Sequence, residues 1–304
     1  MTTTLTPSYD ALFLSSGSIE LPYQIISVEG ADAEKFLQGQ LSIDVTDLSE
    51  GKVDMATANT PKGRIYGLFK ILKEDQRFLL RVHNTMAEAV FARLNKYKVF
   101  FNCALKIEHS YKVFGVVKPV ITKHERPTRG TFVKTGSTLL IALDNTTELY
   151  EKWTDDNLLE DNAGNVAAED WSVMECINGI PEIYPETCES FILQYLNLHE
   201  LGAVSFKKGC YTGQEIIARM KFLGKLKKKT FLITCPEKSN VSPGSPLLDK
   251  NNAKCGEVVR MHYSSTIGSV GLAVLPIIDD EKGRTPIRVS SESEAFFTIH
   301  ALQY

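Results

Sequence analysis

Phe206-Lys207-Lys208-Gly209-Cys210-Tyr211-Thr212-Gly213-Gln214-Glu215 is the stretch whose reading decides the fold. Thr212 and Glu215 have the T-x-x-E spacing of a capping box, in which each side chain satisfies a backbone N–H at a helix start. Ile216, Ile217, Met220 and Leu223 follow at helical spacing, so the pattern predicts a helix opening at Thr212. Gly209 predicts a tight turn with a positive φ ahead of it. Cys210 would then stand at a helix N-terminus, where the dipole and the flanking Lys207 and Lys208 favour a thiolate. The alternative is a cysteine that serves as a small buried hydrophobe.

Cations gather around this stretch. Lys207, Lys208, Arg219, Lys221, Lys225, Lys227, Lys228 and Lys229 stand against one acid, Glu215, in a chain of net charge −3. Three readings are open: a solvated face, an anchor for an anionic tail, or a docking patch for RNA or an acidic partner. No RNP1-like RNA-binding motif accompanies the lysines.

The 304 residues suffice for two or three domains with ample core. No apolar run reaches the ~18 residues that a membrane span needs, and Met1–Leu5 lacks the basic region of a secretory signal. A cytoplasmic protein is expected. The six cysteines, 103, 176, 188, 210, 235 and 255, form no C-x-x-C pair, and the histidines are dispersed. This pattern speaks against a zinc ribbon, a redox dithiol or a built-in cluster, and no metal is expected.

Upstream, Tyr23–Val28 reads as a strand and residues 31–40 as a short helix ended by Gly39. Asn59-Thr60-Pro61-Lys62-Gly63 is a turn signal. Tyr66–Leu72 and Phe78–Val82 read as a hairpin, Thr85–Tyr97 as a helix with its own T-x-x-E start, and Ala104–Glu108 as a strand. Together they suggest a compact α+β unit. Tyr111–Val117 and Thr138–Leu143 read as strands of a second unit, Thr147–Thr154 as a helix, and Trp171–Asn178 as a helix closed by Gly179 and Pro181. After Lys229 short β patterns recur at Phe231–Thr234, Glu257–Arg260, Ser269–Leu275, Ile287–Ser290 and Phe296–His300, the signature of a small β-barrel or sandwich.

The opening stretch, extended to Arg219, resembles the signature of the YgfZ family, which shares a fold with the glycine-cleavage T-protein. Four further blocks carry the resemblance: Phe36–Val45, Pro61–Arg64, Trp171 with Gly179-Ile180-Pro181, and Phe191–Gln194 with Asn197-Leu198. The resemblance implies an α+β, T-protein-like folate-binding fold of three domains in a ring, with a C-terminal β-barrel. Its domains would be residues 1–45 with 111–225 as a discontinuous folate-binding unit, 46–110 as a second α+β unit, and 226–304 as the barrel. It further implies a factor that binds tetrahydrofolate or a one-carbon derivative and supports the assembly or repair of iron–sulfur enzymes. Some of those enzymes modify tRNA, so the role in tRNA modification is indirect. Expected partners are folate, iron–sulfur client or assembly proteins, and tRNA through Lys221–Lys229.

By the same resemblance Trp171 and Tyr23 are candidate pterin-stacking aromatics, and a flat π-rich ring gains ~0.5–1.5 kcal/mol from such a face. Both also suit a core. Cys210 is the candidate reactive thiol, and Lys208, Gln214 and Arg219 order the segment or reach the ligand. Two departures stand out. Relatives carry a pterin-pairing glutamate where this chain has Ile177, with Glu175 at their arginine position; a smaller one is Leu193 for a proline. T-proteins also carry a catalytic aspartate in the stretch that here reads Gly63-Arg64-Ile65-Tyr66-Gly67-Leu68, without a carboxylate. Loss of a positioned acid or base forfeits ~10²–10⁴ in rate, which disfavours a folate-dependent one-carbon transferase. A cofactor-free RNA- or protein-binding module is the third reading.

Overall fold

The computed structural model describes residues 12, 16–119, 126–143, 149–155, 166–277, 287–289 and 296–304. The first half runs β1 (Gly17–Glu20), β2 (Tyr23–Glu29), α1 (Ala33–Gln40), β3 (Val53–Asn59), β4 (Ile65–Glu74), β5 (Arg77–His83), α2 (Asn84–Tyr97), β6 (Ala104–Glu108) and β7 (Lys112–Val117). Then come β8 (Phe132–Thr135), β9 (Thr138–Ala142), β10 (Leu149–Thr154), α3 (Ala168–Ile177) and α4 (Gln214–Phe222). The chain ends with β11 (Lys228–Cys235), β12 (Pro246–Leu248), β13 (Lys254–Ser264), β14 (Gly268–Pro276) and β15 (Thr298–His300).

The strands form three antiparallel five-stranded sheets, ordered β3-β4-β5-β2-β6, β1-β7-β10-β9-β8 and β12-β13-β14-β11-β15. Side-chain alternation with period 2 explains how the first sheet is used. Ile26 and Val28 of β2, with Phe78 and Leu80 of β5, pack under α1 and α2 in the largest core. Tyr23 and Ile25, with Leu79, face the other way into a second core built with the middle sheet. Because both faces of β2 are buried, it takes an interior place between β5 and β6. The strand pairing therefore does not follow the division expected at residue 45: β1 joins the middle sheet, while β2 and α1 belong with residues 46–110.

The described part of the helix expected over Thr147–Thr154 is a strand. Leu149–Thr154 is β10, paired on both sides by β7 and β9, while residues 147 and 148 lie outside the described residues. The adjacent charged pair Glu151-Lys152 interrupts the apolar residues and hides the strand pattern, yet Glu151 and Trp153 are both buried on one side of it.

In the third sheet, Leu248 of β12 and Arg288 exchange backbone hydrogen bonds of 2.8 and 3.1 Å, and Ile287 bridges Phe297 just ahead of β15. Residues 287–288 thus link the two outer strands around a core of Phe231, Ile233, Leu247, Val258 and Phe297. Ser290, expected in a strand here, lies outside the described residues. Among the described residues no helix is long and apolar enough to cross a membrane.

Candidate functional site

The Phe206–Glu215 segment is docked on the C-terminal end of α1. Lys208 is buried and its ammonium donates to the carbonyls of Gln38 (2.7 Å), Leu41 (2.9 Å) and Ile43 (2.5 Å). An ammonium has three donors, and all are used. They satisfy carbonyls left free where a helix stops, and the positive charge suits that end of the dipole. Burial pulls the Lys208 pKa down to about 8, with Asp44 opposing it; the three acceptors also favour the charged form, the only one with three protons. Thr212 N–H donates to the Gly39 carbonyl at 3.1 Å.

The helix does not open at Thr212. α4 starts at Gln214, its N-cap is Gly213 at φ 87°, and no side chain caps it. A Cβ at Gly213 would lie 2.6 Å from the Thr60 carbonyl oxygen and 3.2 Å from Gly63 Cα. Only glycine fits there, so the left-handed residue expected at 209 stands at 213. Cys210 is consequently four residues ahead of the helix, and it is exposed. Gln214 donates to the Lys208 carbonyl at 3.4 Å, and Arg219 lies on the exposed side of α4. The sequence blocks meet in space: the Thr60–Gly63 turn abuts Gly213, and Gln194 Nε2 donates to the Ile217 carbonyl at 2.7 Å.

A second constellation is buried where the three sheets converge. Lys70, Arg81 and His83 project from one face of the first sheet beside Tyr23, since β4 and β5 place Lys70 opposite Arg81 and β2 places Tyr23 opposite His83. Glu151 of β10 meets them from the middle sheet. Lys70 Nζ donates to Glu151 Oε1 at 2.6 Å, Trp153 Nε1 donates to Oε2 at 2.9 Å, and Arg81 Nε stands 3.6 Å from Oε2. The Arg81 guanidinium carbon lies 3.5 Å from the Tyr23 ring centroid. Tyr23 Oη donates to Glu175 Oε1 at 3.2 Å, and Arg260 Nη2 reaches Glu175 Oε2 at 3.0 Å. Arg260 Nε donates to His262 Nε2 at 3.1 Å, and His83 and Tyr184 meet edge to face at 4.8 Å.

The electrostatics follow from burial and neighbours. Burial raises Glu151, but Arg81, Lys70 and the hydrogen bonds from Lys70 and Trp153 outweigh it and hold the group at about 2. Burial, then Arg260, push His83 to about 4 and His262 to about 2, so both are neutral. Burial raises Glu182 to about 7 against the pull of Arg81. Its Oε1 accepts the Ile183 N–H at 2.9 Å, and it is in no ion pair among the described residues. Arg81 is also incompletely matched: its buried Nε and Nη1 have no hydrogen-bond partner.

Of the residues singled out in the sequence, Tyr23 lies in this seam and shares an apolar core with Trp171, and Lys208, Cys210, Gln214 and Arg219 are elsewhere. None of the hydrogen bonds or ion pairs of the docked segment involves a residue of the seam among the described residues. Tyr23 is 8% exposed, with one ring face covered by Arg81, and Trp171 is 1% exposed. Trp171 packs so closely over Gly115 that a Cβ there would lie 2.6 Å from its ring. Trp171 is thus a wall of the core, and Lys208 is committed to backbone carbonyls. Sequence reasoning missed Lys70, Arg81, Glu151, Glu182 and Arg260. The available signal was a charge inside an apolar strand, as in Phe78-Leu79-Leu80-Arg81-Val82 and Val258-Val259-Arg260.

No family model matches the chain. A Haemophilus influenzae protein without assigned function is 33% identical over 243 residues, covering 78% of this chain and 80% of the relative. The "tRNA-modifying protein YgfZ" of Escherichia coli is 30% identical over 226 residues, covering 70% and 69%. A protein of the same name from Colwellia psychrerythraea is 27% identical over 295 residues, covering 92% and 90%. Among solved structures, aminomethyltransferase T of the Bartonella henselae glycine cleavage system superposes with a TM-score of 0.73 at 16% identity, covering 97% of this chain and 87% of that one. This likeness establishes the T-protein-like α+β fold.

Proposed function

Because the chain belongs to the YgfZ family, we propose that it is a tetrahydrofolate-binding factor that supports tRNA modification by maintaining iron–sulfur enzymes. The name of the relatives and the T-protein-like fold support this reading. The observation that carries it is the seam. A buried guanidinium and a buried carboxylate lack full partners between aromatic walls, and an unsatisfied buried polar group costs ~1–3 kcal/mol. A flat heterocycle with both donors and acceptors would offset that cost, and folate would bring such a ring. Tyr23, His83 and Tyr184 would bound it, and Arg81 and Glu182 would supply polar contacts.

Binding rather than one-carbon transfer is the role assigned. The residues Gly63–Leu68 hold no carboxylate, and Glu151 is bound up by Lys70 and Trp153. Calorimetric titration with tetrahydrofolate, read in parallel by fluorescence of Trp153 and Trp171, should show saturable binding. Absence of binding up to millimolar ligand overturns the reading.

A second contact is supported by the far side of the docked segment. Phe222 and Leu223 are 66% and 84% exposed at the end of α4, beside exposed Lys221, Lys225, Lys227 and Lys228. Apolar surface amid clustered cations suits RNA, through base stacking and phosphate contacts. Exposed Cys210 shares this segment and would meet an iron–sulfur client there. Replacing Lys225, Lys227 and Lys228 with glutamate should weaken tRNA binding and flatten its salt dependence while leaving tetrahydrofolate binding intact. Cys210→Ala should reduce rescue of iron–sulfur enzyme activity in a strain lacking this protein; full rescue removes the thiol from the account.

A further inference from the structure

α2 ends in an exposed apolar tip. After Tyr97 the chain makes a short 3₁₀ turn, Lys98–Phe100. Val99 and Phe100 are 72% and 90% exposed there, and Tyr97 is 42% exposed. The base of the tip is fixed. The Phe101 ring packs edge-on against Phe36 at 5.4 Å, Asn102 N–H donates to Asp32 Oδ2 at 2.8 Å, and Asp32 N–H donates to the Asn102 carbonyl at 3.1 Å. The tip is therefore held outward by its own fold, which lowers the cost of ordering it on a partner. It is also cationic. Between Glu88 and Glu108 the sequence has Arg93, Lys96, Lys98 and Lys106 and no acid. Arg93 and Lys106 are paired with Glu189 and Glu108, while Lys96 and Lys98 are in no ion pair among the described residues.

Beside the tip lies a cleft of about 810 Å³ between the first and middle sheets, with Asn102, Cys103 and Ala104 in its wall. Two residues of chain span at most ~7 Å, so Phe100 stands at the rim of the cleft without lining it. The cleft carries four carboxylates, Glu29, Glu74, Asp75 and Asp155, against two cations, Arg77 and Lys134. Both cations are spent within it. Arg77 Nε donates to Glu74 Oε2 at 2.9 Å, and Lys134 Nζ bridges Glu74 Oε1 and Asp75 Oδ2, each at 2.8 Å. Glu29 ends β2 and Asp155 follows β10; both are exposed and in no ion pair among the described residues. Tyr111, Cys103 and Ala104 add apolar wall. A cationic apolar tip and an anionic cleft thus sit side by side on one chain. A twofold pairing sets each against its complement twice across a single axis, and so doubles both the apolar burial and the charge match. We infer that two copies of this chain pair about a twofold axis, the tip at residues 96–100 of each entering the acidic cleft of the other. The apolar tip supplies the burial, and the charges set register and orientation.

Sedimentation velocity of the full-length protein, from micromolar to near-millimolar concentration, should show a monomer–dimer equilibrium that weakens as salt rises. Phe100→Ser should weaken it by about tenfold or more, the loss expected for an aromatic anchor at the centre of a contact. Charge reversal gives the sharpest reading. Lys96→Glu with Lys98→Glu makes tip and cleft both acidic, and Glu29→Lys with Asp155→Lys makes both basic, so each double variant alone should be monomeric. Mixed in equal amounts the two should form a heterodimer, because each tip then meets a cleft of opposite sign. Melting temperature checks that each variant is folded, and where a reversal is not, Phe100→Ser and the salt dependence decide. A parent that stays monomeric throughout overturns the inference. So does a dimer indifferent to Phe100→Ser and to both reversals, or a pair of folded reversed variants that fail to associate when mixed. A monomeric parent that binds vesicles of phosphatidylserine and phosphatidylcholine, and loses that binding in Phe100→Ser, gives the tip to a lipid surface and refutes the pairing.

Discussion

Glu182 is a buried carboxyl group in no ion pair among the described residues, and such burial costs stability. Burial raises its pKa from the ordinary 4.5 to about 7. Between those values the folded chain holds a proton that the unfolded chain has released, so stability falls as pH rises through that window and levels off above it. The size is roughly 3 kcal/mol, at about 1.4 kcal/mol per pKa unit. Glu182→Gln should remove this slope and make the unliganded protein more resistant to urea at about pH 8 than the parent, a trade of stability for function. Equal midpoints at acidic and basic pH in the parent would contradict it. Glu151 behaves in the opposite sense. Held at about 2 by Arg81 and Lys70 after the cost of burial, it contributes stability that is fully present above 4.5 and lost as pH falls toward 2. Glu151→Gln leaves Lys70 and Arg81 buried without their counter-charge, and the expected loss is about 3–5 kcal/mol in denaturant titration at neutral pH.

At the scale of elements, the docked segment holds α1 by its end. Lys208→Met leaves the Gln38, Leu41 and Ile43 carbonyls without their donor, and hydrogen exchange should show lost protection in α1 together with a destabilisation of about 3 kcal/mol. Lys208→Arg should not rescue it, because a planar fork cannot aim three donors at three converging carbonyls. Strand and helix periodicity made β2, α1, α2, α3 and most of the third sheet legible in the sequence. Three features were hidden for physical reasons. The T-x-x-E spacing at Thr212 and Glu215 is real, but the carbonyl of Thr60 crowds the helix entrance and only left-handed Gly213 fits. β10 carries the charged pair Glu151-Lys152 in mid-strand, and its strand state depends on pairing with β7 and β9 on its two sides. The polar seam depends on which strand faces point at one another, which local spacing does not encode. Tyr23 and Trp171 were legible as inward aromatics; the charged groups around Tyr23 needed the sheets.

At the scale of the whole molecule, the first sheet shares one core with the third sheet and another with the middle sheet. The largest core takes Ile26, Phe36 and Phe69 from the first sheet and its helices, Val173 and Cys176 from α3, and Leu232, Val259 and Leu272 from the third sheet. The seam adds polar ties across the same boundaries, from Lys70 to Glu151 and from Glu175 to Arg260. A ligand held by Arg81 and Glu182 would touch groups supplied by β5 and by the segment between α3 and α4, so its binding energy would be felt by every layer that must part when the chain unfolds. Unfolding in urea should accordingly be a single transition, seen alike by tryptophan fluorescence, which reports Trp153 and Trp171, and by far-ultraviolet circular dichroism, which reports all three sheets. Tetrahydrofolate at about 100 times its dissociation constant should move that entire transition by about 2.7 kcal/mol. Two separate transitions, only one of them shifted by ligand, would show that the sheets open independently and that the seam is confined to one of them.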